Sequence, residues 1–201
     1  MDWYLYEKQC LNQGFKFVCG IDEAGRGPLY GAVFAAAVVL PENTVIEGLN
    51  DSKKLSEKKR ESLYDEIIEK AAACGIAFAS AQEVDEINIL NATYRAMHRA
   101  YNALPQVSDF ALIDGNKIPP GLGVPALAIV KGDAKSASIA AASILAKVSR
   151  DRYMREEALR FPGYGLEKHK GYPTKAHYEA IKELGILKDH RRSFLKNLSG
   201  K

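Results

Sequence analysis

Apolar positions along the chain fall into short runs that alternate with helical stripes. Residues 17–22 read as a strand that ends in an acid. Residues 32–40 are an unbroken run of apolar, mostly small side chains stopped by Pro41, the pattern of a buried strand. A further strand is expected around Val45. Ser56 suits a helix N-cap, with Glu57 in the first turn. Leu63, Ile67 and Ile68 give that helix an apolar face, and Gly75 offers it a stop. Residues 76–80 read as a strand, and residues 83–104 as mostly helix, closed by Pro105. A short strand over 110–114 again ends in an acid. A Gly/Pro-rich loop fills 115–125, and another short apolar run covers 126–130 with Asp133 just beyond it. One long helix is expected from Ser136 to about Leu159, broken by Pro162, Gly163 and Gly165. Thr174 caps a last helix that runs to Gly185. Strands first, then helices and strands in alternation, predict an α/β fold with a mixed β-sheet flanked by helices and a small helical C-terminal segment. The first strands lie too close in sequence for helical crossovers, so they are expected to pair antiparallel.

A length of 201 residues suits a single domain spanning 1–201, able to bury a core without disulfides or a structural metal. Cys10, Cys19 and Cys74 form no C-x-x-C pair, which argues against a zinc ribbon and suits a reducing, cytoplasmic setting. The longest apolar run, 32–40, is far short of the roughly 20 residues a membrane helix needs, so no membrane partner is expected. The net charge of +3 is unevenly spread. Residues 163–201 hold nine Lys/Arg against four Asp/Glu, while the preceding chain holds 19 against 21. A basic C-terminal segment on a slightly acidic body points to a polyanionic partner.

Candidate chemistry sits at the strand ends. Asp22, Glu23, Asp114 and Asp133 stand at or just past apolar runs, where open α/β sheets gather ligands. A carboxylate in such a place is costly to bury unless it is paired or holds a cation. Oxygen donors without a His/Cys cluster favour Mg²⁺ or Mn²⁺, and a pair of such ions suits phosphodiester hydrolysis. Each acid alone would better suit a solvated strand end. Adjacent strand residues face opposite sides, so Asp22 and Glu23 share a site only if the strand ends or bends there. Gly25-Arg26-Gly27-Pro28 has the wrong spacing for a dinucleotide loop and is followed by a strand-like run. It suits either close approach of a ligand to the backbone or a tight turn.

Longer motifs narrow the reading. Gly20-Ile21-Asp22-Glu23-Ala24-Gly25-Arg26-Gly27-Pro28 resembles the opening signature of the ribonuclease HII family. So do Asn50-Asp51-Ser52-Lys53-Lys54-Leu55-Ser56, Asn88-Ile89-Leu90 with Ala92-Thr93, and Leu112-Ile113-Asp114-Gly115-Asn116. Val130-Lys131-Gly132-Asp133, the block from Ser143 to Asp151, His169-Lys170-Gly171-Tyr172-Pro173-Thr174 and His190-Arg191-Arg192-Ser193-Phe194 follow in family order. Asn91 stands where the family would place glutamine, and the loop between Asp114 and Asp133 is slightly longer than in some relatives.

The resemblance implies a ribonuclease H-like fold and a catalytic, metal-holding set of Asp22, Glu23, Asp114 and Asp133. It implies an endonuclease that cuts RNA–DNA hybrids, or duplex DNA containing single ribonucleotides, on the 5′ side of the ribonucleotide. The ends would be a 3′-hydroxyl and a 5′-phosphate, and the role removal of misincorporated ribonucleotides and RNA primers. Gly25, Arg26 and Gly27 inherit recognition of the ribose 2′-hydroxyl, the group that separates RNA from DNA. Tyr172 inherits stacking on the neighbouring deoxyribose. Lys53 and Lys54 are read as phosphate contacts, and Ser143 and Lys147, one helical turn apart, as facing the substrate. Lys168, Lys170, Arg191 and Arg192 are read as tracking the duplex backbone. His169, His177 and His190 are read as structural. Nothing demands more than a monomer. Ribonuclease HIII fits less well, because its extra N-terminal domain has no room before residue 20. A non-catalytic hybrid-binding module would keep the basic segment and glycine loop without needing four acids. A metal-dependent small-molecule phosphatase would ignore a duplex.

Overall fold

A computed structural model describes residues 2–50, 52–105 and 108–195, with Lys53 described through its backbone only. Helix α1 (Leu5–Asn12) precedes strands β1 (Val18–Ala24) and β2 (Val33–Val39). A 3-10 turn at Ser52–Lys54 leads to α2 (Glu57–Lys70), β3 (Ala73–Ala79) and α3 (Ala81–Asn102). Then come β4 (Phe110–Asp114), β5 (Ala126–Ile129), a 3-10 turn at Gly132–Ala134 and α4 (Ala137–Arg160). The chain closes with α5 (Leu166–His169), α6 (Lys175–Leu184) and a 3-10 turn at Arg192–Phe194.

The sheet order is β3-β2-β1-β4-β5. β1 pairs antiparallel with β2 and parallel with β4, so the sheet is mixed as expected. Every residue of β2 is buried, because the two sides of the strand meet different layers. Val33, Ala35 and Ala37 join Ala92, Ala96 and Ala100 of α3, whereas Ala36 and Val38 join Ala141, Ile144 and Leu145 of α4 with Leu63 and Ile67 of α2. α4 approaches β1 at Gly20, where a Cβ would stand 2.1 Å from the Ser138 carbonyl carbon. Only glycine admits a helix backbone this close to a central strand. At the start of α4, buried Glu7 accepts from the Ser136 and Ser138 hydroxyls and the Ser138 amide at 2.6–3.0 Å, a carboxylate where a helix N-terminus favours negative charge.

Four expectations need correction. No strand forms around Val45: the segment turns, Val45 is 70% exposed, and the Thr44 and Val45 carbonyls accept from Tyr4 Oη and Lys70 Nζ. Gly75 does not stop α2, which ends at Lys70; it lies within β3, where a Cβ would meet the Ala100 carbonyl oxygen at 2.2 Å. Ile68 turns outward while Leu63 and Ile67, four apart, are buried. β1 runs two residues past Asp22.

The expected helix over 83–104 is interrupted at Asn88, whose φ is +65°. The Asn88 side chain accepts from the Leu90 and Asn91 amides and so starts a second helical half. Beyond α4, Tyr164, Leu166 and Ala180 pack with Tyr30 and Met154, and Ile181 and Leu195 pack with Leu29. Among the described residues no helix is long and apolar enough to cross a membrane.

Candidate active site

The register of the sheet explains how two neighbouring acids reach one cleft. β1 pairs with β4 only as far as Ile21 opposite Ile113. β4 ends one residue later at Asp114, whereas β1 continues beside β2 through Glu23 and Ala24. One side of β1 is therefore open beyond Ile21, with Asp22 and Asp114 at corresponding positions on parallel strands. Asp22 faces the α4 side and interacts with the Ser143 hydroxyl, and Glu23 faces the α3 side. Both still line a cleft of about 240 Å³, together with Gly25, Arg26, Gly27, Asp114, Ser143, Lys147 and Tyr172. A bend at Asp22 is unnecessary, because the shorter neighbouring strand opens the edge. A second cavity of about 320 Å³ lies on the α3 side, walled by Leu90, Thr93, Tyr94 and Met97, and shares Glu23, Arg26 and Asp114.

Asp133 is buried but is not among the residues lining the cleft. It adjoins Asp114 through the backbone: Asp114 Oδ1 accepts from Gly132 N at 2.7 Å and Asp133 N at 3.4 Å. Gly132 permits this contact, since a Cβ there would meet Ile139 Cδ1 at 2.6 Å. Asp22 Oδ1 accepts from Glu23 N at 2.7 Å. Burial above all, then repulsion from Glu23 and Asp114, pushes the Asp22 carboxyl well above the usual carboxylate range. Among the described residues, no group of three or more His, Cys, Asp or Glu side chains is drawn tightly enough to hold an ion as it stands. The donor chemistry nonetheless fits a hard divalent cation: all oxygen, with a buried carboxylate whose charge a cation would relieve.

Two buried arginines flank the glycine loop, Arg150 packed against it and Arg191 bonded to it. Gly25 has φ +97°, and a Cβ there would lie 2.1 Å from Arg150 Nε. Arg150 donates to the Ala32, Tyr30 and Lys170 carbonyls at 3.0–3.3 Å. Arg191 donates from Nε to Gly31 O, from one terminal nitrogen to Arg26 O and Pro28 O, and from the other to Gly25 O, all within 2.7–2.9 Å. Arg191 is fully buried, so it does not track a duplex as the sequence suggested. Its partners lie 160 or more residues away, and no local pattern reveals them. Arg150 left a faint signal, because it falls four residues after buried Ala146. Exposed Lys168 and Arg192 remain at the surface.

Tyr172 is half-exposed and flanks the loop, with its ring 3.5 Å from where a Gly27 Cβ would be. Its carbonyl accepts from His177 Nδ1 at 3.1 Å. His177 Nε2 lies 3.2 Å from His190 Nε2, and His190 Nδ1 accepts from Leu187 N at 2.9 Å. His169 stacks on His177 with ring centroids 4.4 Å apart. All three histidines bond both ring nitrogens within the protein. Ser143 Oγ is 2.9 Å from Ser52 Oγ, which joins the 3-10 turn at Ser52–Lys54 to the cleft. Lys147 lines the cleft but pairs with Asp151 at 2.6 Å, and burial foremost pulls its ammonium below the usual lysine range. Lys54 is exposed and does not line the cleft. The side chain of Lys53, and Asp51 beside it, lie outside the described residues.

The family model described as Ribonuclease HII matches residues 19–197. A ribonuclease HII from Caldicellulosiruptor bescii is 53% identical over 197 residues, 98% of this chain and 95% of that protein. One from Aliivibrio fischeri is 57% identical over 182 residues, 90% of this chain and 87% of that protein. Among solved structures, ribonuclease H2 from Pyrococcus horikoshii superposes with a TM-score of 0.74 at 25% identity, covering 92% of this chain and all of that one. The ribonuclease HII of Archaeoglobus fulgidus, solved in a complex with PCNA, gives 0.70 at 28% identity, covering 88% and 94%. A mixed sheet whose parallel strands bring Asp22 and Asp114 side by side, a family match across nearly the whole chain and identities above one half together make this chain a member of the ribonuclease HII family, a metal-dependent endoribonuclease with the ribonuclease H-like fold.

Proposed function

We propose that this chain hydrolyses the phosphodiester on the 5′ side of a ribonucleotide, in RNA–DNA hybrids or at single ribonucleotides within duplex DNA. The ends left are a 3′-hydroxyl and a 5′-phosphate. The observation that carries this reading is one cleft lined by three carboxylates, the glycine loop and Tyr172. Asp22, Glu23, Asp114 and Asp133 would hold Mg²⁺ or Mn²⁺. Such ions, when bound, stabilise charge on the phosphate oxygens as Lewis acids. The backbone of Gly25, Arg26 and Gly27 meets the 2′-hydroxyl, both donor and acceptor, which no deoxyribose offers. Tyr172 stacks on the adjacent deoxyribose. Ser143 and Lys147 face the scissile region, and Lys53 and Lys54 contact phosphates further along the strand. The reading calls for one copy of the chain, and its cellular role is removal of misincorporated ribonucleotides and RNA primers.

A labelled DNA duplex with one ribonucleotide, incubated with Mg²⁺, Mn²⁺ or EDTA, tests this. The expected product is a single cut 5′ to the ribonucleotide with a 3′-hydroxyl end. It is absent with EDTA and on all-DNA duplex, and Asp22→Asn slows it by on the order of 10³-fold. A 2′,3′-cyclic end would overturn the hydrolysis by water, because it requires attack by the ribose itself. Binding selective for hybrids without any cleavage would point instead to a binding module.

A further inference from the structure

Arg191 spends its guanidinium in an unusual way. Four donor bonds go to backbone carbonyls of one seven-residue stretch, at Gly25, Arg26, Pro28 and Gly31. The planar guanidinium offers five donors in a fixed fork, and an ammonium cannot reproduce that spread. The carbonyls that converge on Arg191 determine where the amides point. In a trans peptide, the N–H of the next residue is directed opposite to the carbonyl, and among the described residues there is no cis peptide bond. With the carbonyls of Gly25 and Arg26 turned inward to Arg191, the amides of Arg26 and Gly27 turn away from it. Arg26 and Gly27 are exposed and line the cleft.

We propose that Arg191 is a positioning residue for ribose selectivity: by gathering these carbonyls it aims the Arg26 and Gly27 amides at the sugar. This rests on the reading of the glycine loop as the reader of the 2′-hydroxyl. Arg191 touches neither substrate nor acids, and its action passes wholly through loop geometry. Its own position is anchored from α3: Asp85 accepts from the amides of Arg192 and Ser193 at 2.8 and 2.9 Å, and also from the Ser193 hydroxyl.

The test measures affinity, by fluorescence anisotropy in an Asp22→Asn background, for two duplexes of one sequence, one with a single ribonucleotide and one all DNA. Arg191→Lys keeps the charge and loses the fork. The expected result is a fall of about tenfold or more in the ribonucleotide-over-DNA preference, with affinity for the all-DNA duplex within about twofold. A purely structural role would weaken both duplexes together. A preserved preference, or a parallel loss on both duplexes, overturns the proposal. If Arg191→Lys lacks the circular dichroism of the parent, Asp85→Asn is used instead. It loosens the anchor of Arg191 from outside the cleft, and a preference reduced by about threefold or more supports the proposal, whereas an unchanged one overturns it. Absence of any preference in the Arg191-containing protein would sink the loop reading itself, and the two failures are thereby told apart.

Discussion

At the residue scale, His190 shows how a buried side chain can be defined by its hydrogen bonds alone. Its Nδ1 accepts from Leu187 N, so the proton sits on Nε2 and is donated to His177 Nε2. His177 in turn donates from Nδ1 to the Tyr172 carbonyl. Both rings are neutral in this chain of bonds, and a proton added to either removes an acceptor. Burial foremost, then the neighbouring His177, pulls His190 down to about 4, and burial likewise lowers His177. The unfolded chain takes up these protons first, near pH ~6.5, so stability falls as the pH drops from about 6.5 toward 4 and is unaffected above. A melting temperature that is flat above pH 7 and declines through that window is expected, with a shallower decline in His190→Gln. An identical slope in the variant would refute the assignment. The same bonds lead to Tyr172, so acid should loosen the segment beside the glycine loop before it unfolds the sheet.

At the scale of elements, the sequence speaks clearly where the pattern is local. Ser56 and Thr174 each cap the helix expected of them, and Ser136, expected as the start of its helix, is the N-cap of α4, because an N-cap is a contact three residues long. The strand over 110–114 matches β4 residue for residue, bounded by a charge and a glycine. Legibility fails where a partner lies far away. Gly75 resembles a helix stop and is instead a slot for α3, and Val45 has strand chemistry but no strand beside it. The acids of the cleft were visible as strand ends, yet the shared opening for Asp22 and Glu23 comes from β4 being shorter than β1, which only register reveals. The break at Asn88 belongs to the same class. Its left-handed backbone and side-chain cap divide α3, and the second half supplies Leu90, Thr93, Tyr94 and Met97 to the cavity beside Glu23. Asn88→Ala removes the cap and strains the left-handed turn, at a cost of about 1–3 kcal/mol. Urea melts should show a lowered midpoint with an unchanged slope. A midpoint within error of the parent would mean the two halves hold their angle without Asn88.

Across the whole molecule, contacts join the ends of the chain to its centre. The α4 amide at Ala137 donates to the Trp3 carbonyl at 2.8 Å, while Leu195 packs with Leu29. We read residues 1–201 as one domain, with the basic segment from 163 onward, of which 196–201 lie outside the described residues, as part of the same cooperative unit. Thermal unfolding followed by far-ultraviolet circular dichroism and by the fluorescence of Trp3, the only tryptophan, should give superimposable curves with one midpoint. Two separated transitions would divide the segment from the body. The bonds from Arg191 to the glycine loop span some 165 residues, and they set an order of events in biosynthesis. All four carboxylates and every strand of the sheet emerge from the ribosome before the guanidinium that gathers the loop. A growing chain arrested at residue 190 therefore owns its acids but not the bonds that gather its glycine loop: a part of the enzyme made among the first is among the last to take its shape.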